Sequence, residues 1–285
     1  MPWWVMLFAN GTVLYIGAAM ACIGPAARIF AEKRLFIVAS NCLGVLGAIG
    51  VVASAAPLAW WEYAVWGVVW LSAMYTSGCF SLPRKHRVVL VACCAVVSAA
   101  ICGVEARYWF LPRLEIPKGA TLLYEVGDSL SIGADKQELN WPDLLGAKLG
   151  LPARNYSFGG AKAGTALSNA KRVGPEPAMV LLEIGGNDIF AGTPPQQFEQ
   201  DLRALLEAVR APDHTLYMLE LPLPPTFNEY GRIQRALAEE FNVTLIPKRV
   251  LGGVFSIPDA TVDGLHFSHA GHAALAERLA ALFGK

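Results

Sequence analysis

Apolar positions run almost without interruption through the first hundred or so residues. Beyond that they fall into short runs separated by amphipathic stretches. Four uncharged apolar runs, 3–23, 35–56, 63–82 and 88–104, have spanning or near-spanning length. The first lacks a basic flank ahead of it, and three more runs follow, so it reads as a span and not a signal peptide. Residues 1–112 are therefore expected to form an all-α, four-helix transmembrane domain.

The polar residues between the runs set an orientation. Arg28, Lys33 and Arg34 separate the first two, and Arg84, Lys85 and Arg87 separate the last two. Basic loops stay in the cytoplasm, which places the N-terminus and everything after Val104 outside it. Trp3, Trp4, Trp60, Trp61 and Trp109 then fall at the outer boundary, where amphipathic indoles prefer to sit. Trp66 and Trp70, one helical turn apart and deeper, read as packing residues. The runs hold no Asp, Glu, Lys, Arg or His, which argues against ion or proton transport. The expected localisation is a bacterial inner membrane, multi-pass, with the polar half on the periplasmic side.

From 119 to 285, after a linker at 113–118, the period changes. Runs at 121–126, 154–158, 178–184, 216–222 and 243–247 read as strands. Helices are expected over 141–150, 164–172, 195–210, 228–241 and 270–283, with a loop between the last strand and the last helix. Five strands alternating with helices imply an α/β fold: a three-layer α/β/α sandwich around a five-stranded parallel sheet. In such sheets the site lies at the carboxyl ends of the strands. Gly127-Asp128-Ser129 follows strand one, Gly159-Gly160 strand two, Gly185-Gly186-Asn187-Asp188 strand three, and Asp263-Gly264-Leu265-His266 lies beyond strand five.

Composition changes the picture in two ways. Hydrophobic residues make up 54% and charged residues 16%, with a mean hydropathy of +0.41 and no net charge. Neither half carries a broad basic surface, so no nucleic-acid partner is expected. All six cysteines (Cys22, Cys42, Cys79, Cys93, Cys94, Cys102) lie in the apolar half and read as packing residues, leaving the polar half without a thiolate metal site.

The chemistry follows from the strand ends. A serine hydroxyl needs a base to attack an acyl carbon. Of the four histidines in the polar half, His214 precedes strand four, at the amino end of the sheet. His269 and His272 lie at or inside the last helix, with His272 placed to pack beneath it. His266 sits on the loop facing the site and is the best base, with Asp263 three residues earlier able to fix its tautomer. Asp263 beside Gly264 also reads as a turn former, and Asp263, His266, His269 and His272 as a metal set whose spacing does not keep the histidines on one helical face. Oxyanion donors are expected from the backbone N–H of Ser129 and Gly160 and the Asn187 amide, although Asn187 also suits a turn. No cofactor or metal is expected. Pro222, Pro224, Pro225 and Phe227 are expected to shape one pocket wall.

GDSLS at 127–131, NYSFGG at 155–160, GGND at 185–188 and DGLH at 263–266 resemble the four sequence blocks of the SGNH (GDSL-type) hydrolases. The resemblance spans nearly all of 119–285 and none of the apolar half. It implies a flavodoxin-like fold, Ser129 as nucleophile, Asp263 and His266 as its triad partners, and Gly160 and Asn187 as oxyanion donors. Within the family the chain looks most like compact periplasmic thioesterase, lysophospholipase and arylesterase enzymes. It departs from them at Ala161-Lys162, where Asp-Thr is usual, and in its apolar half. The implied activity is serine ester or acyl hydrolysis on an amphiphilic or membrane-associated acyl ester, with the lipid bilayer as the other partner. Acyl transfer to, or deacetylation of, an envelope polysaccharide would use the same residues, and a non-enzymatic binding module would need none of them.

Overall fold

A computed structural model describes residues 3–79, 81–110, 114–133, 139–224 and 226–284. They form two compact units: Leu7–Arg107 with Leu223–Asn228, and Tyr108–Pro222 and Glu229–Lys285 with Met1–Met6. The expected linker begins at Arg113, which lies outside the described residues.

The amino-terminal helices are α1 (Trp3–Ala9), α2 (Thr12–Arg28), α3 (Arg34–Ala53), α4 (Trp60–Ser77) and α5 (Arg84–Ala106). The first expected run is thus two helices, bent by 80° at Asn10-Gly11. Gly11 takes φ 77, a left-handed conformation open to glycine without steric cost. Among the described residues, α3 and α5 are each long and apolar enough to cross a membrane, and the bent α1–α2 pair makes a third if counted as one span. Four were expected; α4 falls short of that measure, beginning with Trp60, Trp61, Glu62 and Tyr63. Only 22% of each apolar stretch in α3 and α5 is buried by protein, which leaves greasy faces suited to lipid.

Small residues let these helices approach closely. A Cβ on Gly47 would lie 2.2 Å from the Ala21 nitrogen, and one on Gly17 would lie 2.7 Å from the Gly47 oxygen. Backbone-to-backbone contact of this kind suits association where no hydrophobic effect drives it. Trp66 and Trp70 stack at 6.0 Å, and Trp66 Nε1 donates to Ser98 Oγ at 2.9 Å, so both tryptophans pack as expected. The two basic loops lie together: the Arg84 guanidinium sits 4.5 Å over the Phe30 ring.

The second unit carries five parallel strands: β1 (Leu122–Gly127), β2 (Ala153–Asn155), β3 (Ala178–Glu183), β4 (His214–Leu219) and β5 (Thr244–Ile246), in the order β2-β1-β3-β4-β5. β3, at the centre, is buried throughout. The helices are α6 (Trp141–Leu149), α7 (Ala163–Ala170), α8 (Gly186–Phe190), α9 (Pro195–Val209), α10 (Asn228–Glu240), α11 (Lys248–Phe255) and α12 (His269–Leu282). α6 packs against α12 and α7 against α9, the pairings expected of right-handed crossovers covering two faces. The α/β sandwich is as expected. The stretch after β5, expected to be a loop, is instead the helix α11. Its Gly252-Gly253 pair weakens helix propensity, but Val250, Leu251, Val254 and Phe255 are buried, and that packing holds the turn structure.

Candidate active site

β1 ends at Gly127, and Ser129–Ser131 forms a single 3-10 turn just beyond it. Asp128 starts that turn: its Oδ1 accepts the Leu130 N–H at 2.9 Å. Ser129 is thereby presented, half-buried, at the carboxyl edge of the sheet. A Cβ on Gly127 would fall 2.7 Å from the Glu183 carbonyl oxygen, 2.8 Å from Glu125 Oε1 and 2.8 Å from Ser131 Oγ, so only glycine fits there. Burial raises the Asp128 carboxyl above its ordinary range, while the Leu130 N–H, the Glu183 side chain and the charge of His266 pull it back.

The second block follows β2. Tyr156 N–H donates to the Glu125 carbonyl at 2.8 Å and Phe158 N–H to the Gly127 carbonyl at 3.3 Å, extending the chain beside β1 as far as Gly159-Gly160. Gly160 is exposed, with φ +74 and open space where a side chain would be. Asn155 holds the arrangement from below, its Nδ2 donating to the Ser131 carbonyl at 2.5 Å and its Oδ1 accepting the Ser157 N–H at 3.0 Å.

The third block joins the first two. Asn187, in α8, donates from Nδ2 to Asp128 Oδ2 at 3.0 Å and to the Ala161 carbonyl at 3.1 Å. Beside it, Asp188 Oδ2 accepts the Ala163 N–H at 2.9 Å, tying α8 to the start of α7. Gly185, at φ +112 against Phe198 and Leu221, makes the sharp exit from β3 that aims Asn187.

The fourth block is a closed turn. Asp263 Oδ1 accepts the N–H of Leu265 at 2.9 Å and of His266 at 2.7 Å, while Oδ2 lies 2.6 Å from His266 Nδ1. The side-chain bond to His266, then the two backbone N–H groups, hold the Asp263 carboxyl far below the usual carboxylate range. Turn former and histidine partner are thus the same residue. Among the described residues, the Ser129 hydroxyl makes no hydrogen bond, to His266 or otherwise.

The other histidines sit as expected. His214 opens β4 at the amino end, its ring nitrogens on the Val209 and Glu176 carbonyls. His272 is buried, its Nδ1 accepts the Trp141 N–H at 3.2 Å, and burial lowers its pKa to about 4. His269 is exposed at the first position of α12, so the two do not converge with His266 on one face. Of the residues expected to wall a pocket, Pro225 lies outside the described residues, and Pro224 and Phe227 belong to the segment grouped with the amino-terminal unit.

Sequence reasoning passed over Glu125, Glu183, Ser131 and Asn155, which brace the turn from beneath. The signal was present: Glu125 and Glu183 are single charges inside otherwise apolar strand runs, and both are fully buried. Burial raises both carboxyls well above their ordinary range.

The GDSL-like lipase/acylhydrolase family matches residues 126–274. The thioesterase 1/protease 1/lysophospholipase L1 of Escherichia coli K12 is 34% identical over 155 residues, covering 49% of this chain and 74% of that protein. The esterase TesA of Pseudomonas aeruginosa is 30% identical over 163 residues, covering 52% of this chain and 80% of that one. A crystal structure of the psychrotrophic esterase EstA from Pseudoalteromonas sp., inhibited by monoethylphosphonate, superposes with a TM-score of 0.50 at 22% identity, over 56% of this chain and 94% of that one, and shows the shared fold.

Proposed function

The chain belongs to the GDSL-like lipase/acylhydrolase family, and from that premise we propose that it is a membrane-anchored, extracytoplasmic serine ester hydrolase acting through Ser129, His266 and Asp263. The observation that carries this reading is the Asp263–His266 pair, 2.6 Å apart between Oδ2 and Nδ1, on the loop beyond the last strand.

Ser129 Oγ attacks the acyl carbon while His266 Nε2 takes its proton. Asp263 fixes the imidazole with Nδ1 toward the carboxylate and stabilises the imidazolium that forms. The oxyanion is met by the Ser129 and Gly160 N–H groups and by the Asn187 amide, which exchanges its Ala161 contact for the substrate oxygen. His266 returns the proton to the leaving alcohol or thiol. Water, deprotonated by the same nitrogen, then releases the acyl group from Ser129 Oγ.

Membrane anchoring rests on the apolar helices and on parity. The Arg84 guanidinium lies over the Phe30 ring, which supports both basic loops lying on one side. If α3 crosses from that side, α4 must bring the chain back before α5 crosses again. α2 serves as the first span, and α1, bent away from it, lies at the interface with Trp3 and Trp4. Basic loops inside then place the hydrolase domain outside.

The substrate is an acyl ester of amphiphilic type: a lipid ester, lysophospholipid or thioester. The named relatives are a thioesterase/lysophospholipase and an esterase, and the apolar helices keep this chain at the bilayer where such esters partition. A chain-length series of aryl esters and lysophospholipids, run on wild type and Ser129→Ala, tests the reading. Turnover lost in the variant supports it; no turnover of any ester by the wild type overturns it.

A further inference from the structure

Directly beneath Ser129 lie groups that the reaction itself does not use. Ser131 Oγ is 3.0 Å from Glu125 Oε1 and 3.1 Å from Glu183 Oε2, and all three side chains are fully buried. A serine hydroxyl has one proton and donates it once. It can satisfy one of these carboxylates, and the other contact is a hydrogen bond only if that carboxyl carries a proton and donates to Oγ. Two unprotonated carboxylates around one hydroxyl would leave a buried charge facing a lone pair, a costly arrangement in a dry interior.

The surroundings give the same answer. Facing the pair are Asp128 and Ser131 from the turn, with Asp188 from α8 and His266 from the far loop acting at longer range through Asp128. Asp128 accepts two N–H donors, from Leu130 and Asn187, as suits an ionised carboxylate. No arginine or lysine is hydrogen-bonded to either glutamate among the described residues. The pair is therefore neutralised by a proton, not by a cation.

We propose that Glu125 and Glu183 share a proton across Ser131 and together act as positioning residues that clamp the nucleophile turn. This rests on the reading of Ser129 as nucleophile. The clamp reaches both catalytic elements. Ser131 closes the turn that opens with Ser129, and Glu183 Oε2 also faces the Asp128 N–H at 3.5 Å. Asp128 in turn holds the Asn187 amide. Gly127 packs against all three clamp residues, which is why no side chain fits at that position.

Two measurements on the full-length protein in detergent test this. Infrared difference spectroscopy in H2O and D2O at neutral pH should show the carbonyl stretch of a protonated, buried carboxyl in the wild type and in Ser129→Ala. That band should be lost or displaced in Glu125→Gln and Glu183→Gln. In steady-state kinetics, Glu125→Ala should lower kcat by roughly ten- to a hundredfold with KM within about twofold, because a shifted turn misplaces the reacting atoms. Glu125→Gln, whose amide donates to Ser131 without needing a proton, should recover most of that loss. Absence of the band in the wild type overturns the proposal, as does equal damage by Gln and Ala. If Glu125→Ala fails to fold, the band and the Gln variants still decide. A band present in a protein whose Ser129→Ala variant still turns over ester would sink the nucleophile assignment while leaving the shared proton standing.

Discussion

The His266 imidazole and the Asp263 carboxylate are joined at 2.6 Å between Nδ1 and Oδ2, and the same carboxylate takes the His266 backbone N–H at 2.7 Å. Side chain and main chain of the proposed base are thus fixed by one residue. Asp263→Asn keeps the turn but presents an amide that favours the wrong tautomer. We expect kcat for a short aryl ester to fall by roughly 10²–10⁴-fold, with KM little changed. A change confined to KM would count against the assigned role.

Asn187 bridges Asp128 and Ala161, the first and second blocks of the site. Asn187→Ala removes that bridge together with one proposed oxyanion donor. The expected loss in kcat is about 10²–10³-fold, the usual effect of removing such a donor. Wild-type kcat in the variant would remove Asn187 from the site.

Gly127 has backbone and side-chain oxygens within 2.8 Å of where a Cβ would lie. Gly127→Ala should destabilise the protein by about 1–3 kcal/mol through overpacking, read as a lowered denaturation midpoint. In the amino-terminal unit, Gly47→Leu should separate α2 from α3, since a Cβ there would lie 2.2 Å from the Ala21 nitrogen. Cysteine cross-linking between the two helices in membranes would report it as a lower yield than in the wild type.

The carboxyls give stability a two-sided pH dependence. Glu125 and Glu183 are raised by burial, so the folded chain holds protons that the unfolded chain releases near pH 4.3. Their contribution is complete below that value and is lost as pH rises toward their folded values. Asp263 is depressed by His266 and two N–H groups, so its contribution is present above about pH 3.9 and lost as pH falls below it. His272, lowered to about 4 by burial, opposes the glutamates: its contribution is complete above about pH 6.5 and lost as pH falls toward 4, so thermal midpoints should decline on both the alkaline and the acid side. In Glu125→Gln the decline on the alkaline side should flatten.

Much of this was legible in the residues. The strands were readable because β1 and β3 are short apolar runs closed by glycine and polar residues, and the four blocks named the strand ends that matter. Three things were not. The Gly252-Gly253 pair in α11 hides a helix that only packing stabilises. Hydropathy along 3–23 carries no trace of the left-handed turn at Gly11 that breaks the run. Glu125 and Glu183 were visible as misplaced charges, but sequence gives no register. Only the pairing of Gly127 with Glu183 across β1 and β3 shows that the two carboxyls meet over one hydroxyl.

The central claim is that Ser129 is the nucleophile. Incubating the full-length protein with an activated alkyl phosphonate and mapping the adduct by peptide mass spectrometry tests it most directly. The account predicts one stoichiometric adduct on Ser129, with loss of esterase activity in step and no labelling of Ser129→Ala. An adduct on another residue, or ester turnover that survives in Ser129→Ala, would contradict it.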